Sequence, residues 1–139
     1  MNLSLSHFDD LLRAARSQTD PQRLLLVFAS VELPDDATPA QRAGFAAGRG
    51  GALVPMMCVD KGAHELESFA MLLSEAASVS APDQEWVMVF VAAMSGPGGR
   101  VPTSEDAHAP LQRMTESIRA GVFGQSIAFD RSGTPVQFG

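Results

Sequence analysis

Three side chains that could share chemistry stand close together in this chain: Cys58, Asp60 and His64. A thiolate made nucleophilic by an imidazole, with a carboxylate nearby, is a working arrangement for covalent catalysis. The spacing puts residues 58 and 60 on one face of a strand, with His64 opening the next helix and able to fold back toward them. Against this stands the ordinary behaviour of a free cysteine, which packs as a small hydrophobe. Asp60 has an equally ordinary use in the turn between strand and helix. The packing reading carries more weight, so the three residues are catalytic candidates only and no catalytic set is assigned.

A second chemistry is suggested by glycine. Ser95-Gly96-Pro97-Gly98-Gly99-Arg100 follows an apolar run and precedes a helical pattern. In that setting backbone N–H groups and a helix N-terminus can hold an anion. Arg100 would add a charge-assisted contact, Ser95, Thr103 and Ser104 would add hydroxyls, and Gly98 and Gly99 would let the backbone approach. Arg49, in Gly48-Arg49-Gly50-Gly51, could complete an anion-binding rim if both loops lie at one end of a sheet. The spacing matches neither a dinucleotide fingerprint nor a P-loop, and glycine with proline also marks any tight turn.

His7 and His108 stand in no metal-ligand spacing with a second His or Cys, so no metal is expected. The acidic residues are dispersed in short pairs that suit helix starts, and sequence singles out no acid–base pair. No cofactor motif is present. Most of the seven methionines fall at core positions, where they read as adaptable packing.

The elements that must position these residues follow from periodicity. Phe8, Leu11, Leu12 and Ala15 predict a helix over Ser6–Arg16, with Ser6 as the capping side chain. Leu24–Val31 is a continuous apolar run, the pattern of a strand covered on both faces. Thr38-Pro39-Ala40-Gln41 predicts a short capped helix. Ala52–Asp60 predicts a strand that Pro55 confines to an edge or a bulge. A third helix should start near Ala63, with Leu66, Phe69, Ala70, Leu73 and Ala77 on one face. Trp86–Val91 is a second buried strand. A fourth helix should begin between Ser104 and Ala109, since Pro110 suits only a first turn, with Leu111, Met114, Ile118 and Val122 as its stripe. Ile127–Phe129 and Val136–Phe138 form a hairpin around Arg131-Ser132-Gly133.

The order α-β-α-β-α-β-α-β-β predicts an α/β fold: one layered domain over residues 1–139, a mixed sheet of about five strands, about four helices and a C-terminal β-hairpin. At 139 residues the chain is long enough for one core and short for two. Its single cysteine excludes an internal disulfide and any cysteine-based metal framework. The net charge of −6 argues against nucleic acid, which selects basic surfaces. Leu24–Val31 and Trp86–Met94 are far shorter than the roughly 20 residues of a membrane helix. The N-terminus lacks the pattern of a secretory signal, so a cytoplasmic protein without membrane contact is expected.

RLLLVFASVELPDDATPAQRAGFAAGRGGALVPMMCVDK, APLQRM and the ending FDRSGTPVQFG resemble a small uncharacterised bacterial family whose members often carry the label "ribonucleotide reductase subunit alpha". The resemblance covers nearly the whole chain and implies no functional residue. Reductase catalysis itself is rejected, because it needs several cysteines on a far longer barrel and Cys58 is alone. LLLVF and ALVPMMCVD before ELESFAML are also similar to SseB-like domains, which would make the first two strands antiparallel and the fold α+β. The functional expectation leans away from an enzyme. It is a non-catalytic cytoplasmic binding or protein-interaction module, with a homodimer or protein partner. The alternative is a small-ligand enzyme or sensor that holds an anionic metabolite at the loops 48–51 and 95–100.

Overall fold

The computed structural model describes residues 5–33, 36–46, 52–79, 85–124 and 126–137. Four helices, α1 (Phe8–Arg16), α2 (Pro39–Ala46), α3 (Phe69–Val79) and α4 (Ser104–Arg119), accompany five strands. The strands are β1 (Gln22–Glu32), β2 (Ala52–Gly62), β3 (Met88–Ser95), β4 (Ile127–Asp130) and β5 (Pro135–Val136), in one sheet of order β2-β1-β3-β4-β5. This is the expected α/β domain with its terminal hairpin. Within it all four pairings are antiparallel, where alternation alone suggested parallel neighbours as well. A parallel crossover needs a helix that runs back along the sheet. The eight residues of α2 rise only about 12 Å against about 36 Å for β1.

The continuous apolar run of β1 is explained by its two faces. Leu24, Leu26 and Phe28 enter one core with Phe8 and Leu12 of α1 and Phe69 and Leu72 of α3. Leu25, Val27 and Ala29 enter a second core with Ala107, Leu111 and Ile118 of α4. The sheet is thus sandwiched, by two helices on one face and one on the other. β1 and β3 pair side by side from Gln22↔Ser95 to Ala29↔Met88. Trp86 lies just before β3 but is buried, edge-on to Phe28 at 4.9 Å and capped by the Arg131 guanidinium at 4.5 Å.

Helix starts differ from their sequence reading in instructive ways. His7, not Ser6, caps α1: its Nδ1 accepts the Asp9 N–H at 3.0 Å, while Asp10 accepts the N–H groups of Ser6 and His7. With Nδ1 an acceptor, Nε2–H donates to the Ser132 carbonyl at 3.0 Å and ties α1 to the β4–β5 turn. α3 starts at Phe69, whose N–H is held by Asp9 of α1, so Phe69, Leu72 and Ala76 are the buried stripe and Ala70 and Ala77 are exposed. α4 begins at Ser104, within the expected range, but this start places Pro110 well inside the helix, which ends at Arg119 and leaves Val122 of the expected stripe exposed. β2 is an edge strand and also carries a bulge: Phe28 pairs with Met57 and Ala29 with Pro55, leaving Met56 without a cross-strand partner.

Candidate functional site

Cys58 and Asp60 share a face of β2, as their spacing requires. It is the α4 face, because they pair with Val27 and Leu25. Cys58 is exposed, not packed in the core. Asp60 is held by Arg23, whose Nε donates at 2.5 Å, and accepts the Ser104 hydroxyl at 3.0 Å. Arg23 also reaches Glu65 at 3.3 Å. Arg23 and Asp60 are only 13% and 17% exposed, so this pair pins β1, β2 and the first turn of α4 together. Asp60 is therefore an anchor between elements, beyond the local turn role expected of it. His64 is exposed in the turn after β2 and makes no hydrogen bond or ion pair among the described residues.

The imidazole that shares space with Cys58 is His108. Both line an open trough of about 370 Å³ between β2 and α4, with Leu111, Thr115, Glu116 and Arg119. No hydrogen bond joins sulfur to imidazole, so the nucleophile–base contact of covalent catalysis is not made. Sequence could not pair these residues. His108, Leu111 and Thr115 follow one flank of a helix, but only the packing of that helix over β2 brings Cys58 to them.

The glycine loop is turned in on itself. Gly99 and Arg100 donate their N–H groups to the Gly96 and Pro97 carbonyls, and Arg100 Nε donates to Pro97 at 3.1 Å. Gly98 and Gly99 adopt φ of +63° and +77°, which glycine accommodates without strain. At Gly96 a Cβ would lie 2.0 Å from the Arg100 carbonyl oxygen. The hydroxyls are committed too. Ser95 accepts from Gln22 at 2.9 Å, Thr103 caps α4 in a capping box with Asp106, and Ser104 serves Asp60. The Thr103 N–H, with Arg100 nearby, holds the Asp106 carboxyl below its ordinary range. Negative charge from Glu105 and Asp106 thus already occupies the helix start proposed for an anion. Arg49 and the Gly48–Gly51 loop lie outside the described residues.

Among the described residues no three His, Cys, Asp or Glu side chains converge as a metal site, and no polar side chain is fully buried. What the molecule leaves open is edge and trough. A helix about 10 Å wide spans roughly two strands set about 4.8 Å apart, so α4 alone cannot cover its face of the sheet. It lies over β2 and β1 and leaves a hollow on each flank. Among the described residues no helix is long and apolar enough to cross a membrane. No protein family, curated protein or solved structure matches this chain.

Proposed function

We propose that the chain is a non-catalytic cytoplasmic binding module that acts through the free edge of β2, with a second copy of itself as the first partner. The single observation behind this reading is the character of that edge. β2 has eleven residues, the opposite edge strand β5 has two, and β2 pairs on one side only among the described residues. Unpaired strand N–H and C=O groups are a template for another strand. Pro55 and the bulge interrupt the template, which leaves Met57–Gly62 as its regular run.

Both faces of this run offer room for the side chains of an added strand. On the α3 face, Met57 and Val59 border a hollow of about 250 Å³ with Leu72, Ala76 and Val79. On the α4 face lies the trough at Cys58. A two-fold axis through the edge would keep each face on its own side and bring Met57 and Val59 of both copies together, an isologous contact.

Sedimentation velocity over a range of concentrations tests the reading. The expected result is a reversible dimer with slowed amide exchange along 57–62. Cys58→Lys, a charge placed at an exposed position of the edge, should weaken association at least tenfold and leave the circular dichroism spectrum unchanged. A strict monomer that also recovers no partner from cell extract would overturn the proposal.

A further inference from the structure

We propose that the hollow on the other flank of α4 is a binding site for a small molecule with an apolar body and a carboxylate head. This site is separate from the β2 edge. It encloses about 400 Å³ between α4, β1 and β3, within the range of small-ligand pockets. Its floor is apolar, formed by Leu25, Met94, Met114 and Ile118. Leu25 and Ile118 belong to the second core, so the floor is fixed by the packing of α4 itself.

The rim is polar and has no internal use. Among the described residues Arg113, Ser117 and Ser126 line it, and no acidic side chain does. Among the described residues Arg113 has no ion pair, and neither the guanidinium nor the two serine hydroxyls make a hydrogen bond. Arg100, Arg23 and Arg131 differ in this respect, since each is spent on a protein acceptor. A planar guanidinium beside two hydroxyls, over an apolar floor, matches a carboxylate that carries a hydrocarbon or aromatic body. A phosphate without such a body would leave the floor unfilled.

Calorimetric titration of the full chain with sodium octanoate, 1-octanol and sodium acetate tests the proposal. Octanoate should bind at least tenfold more tightly than either comparison, because only it satisfies floor and rim together. Arg113→Ala changes an exposed residue without a partner and should leave folding intact. It should weaken octanoate about tenfold or more and leave octanol unchanged, the worth of one charge-assisted contact. Ser117→Trp, which fills the mouth of the hollow, should abolish octanoate binding. The proposal fails if octanoate does not bind, if it binds no better than octanol, or if the arginine variant keeps the preference.

Discussion

Gly133 concentrates several constraints in one position. Its φ is +81°, and a Cβ there would lie 2.5 Å from His7 Nε2. Its carbonyl accepts the Phe8 N–H at 2.8 Å, so the turn and the start of α1 are built on each other. Gly133→Ala should therefore cost at least about 1 kcal/mol in denaturant unfolding, from the left-handed backbone alone. Displacement of His7 should add to that cost. The turn itself could be read from Arg131-Ser132-Gly133, but its contact with His7 could not. The two are joined across almost the whole chain, and a histidine shows in isolation neither its tautomer nor its acceptor. The same limit separated Cys58 from His108. The sequence placed the thiol beside His64, its neighbour along the chain, whereas the fold gives it a trough with a residue from another element.

At the scale of elements, apolar patterning found most of the helices and strands, and capping chemistry decided where helices begin. α3 illustrates the difference. The stripe Leu66, Phe69, Ala70, Leu73, Ala77 assumes a start at Ala63, but Asp9 reaches across from α1 to cap Phe69. The buried face then rotates onto Phe69, Leu72 and Ala76. In α4 Leu111 and Ile118 of the expected stripe are buried, but the helix ends at Arg119 and leaves Val122 exposed, and the capping box of Thr103 and Asp106 starts the helix early enough to put Pro110 inside it. Pro110 lacks the N–H that would reach the Asp106 carbonyl. Pro110→Ala restores that donor and should stabilise the protein by about 1–2 kcal/mol, the gain in helix propensity less the added freedom of the unfolded chain. A rise in the thermal midpoint is the readout.

For the whole molecule, sequence supplied the layered α/β plan, the five strands and the hairpin, because two buried runs need cover on both faces. Outside the terminal hairpin, alternation did not supply strand direction; between β1 and β2 the short α2 could not carry the chain back for a parallel pairing. Acid stability also belongs to this scale. Asp10 is held below the ordinary carboxylate value first by the Ser6 backbone N–H, then by the Ser6 hydroxyl and Arg13. Asp106 is held there by Thr103. For groups lowered on folding, the stabilisation is present above the unfolded value and lost as pH falls through the folded one. Stability should thus be flat near neutrality and decline below about pH 4. Replacing both residues with Asn should lessen that decline, as followed by urea midpoints across the acid range.

Cys58 has a practical corollary. The chain has one thiol, and it stands open to solvent on the edge strand β2 itself. A fluorophore or nitroxide attached there would be a uniquely placed reporter, with no competing attachment point to remove beforehand. Its signal would register anything laid along that margin, while the carboxylate hollow across α4 stays unlabelled and can be titrated in the same sample.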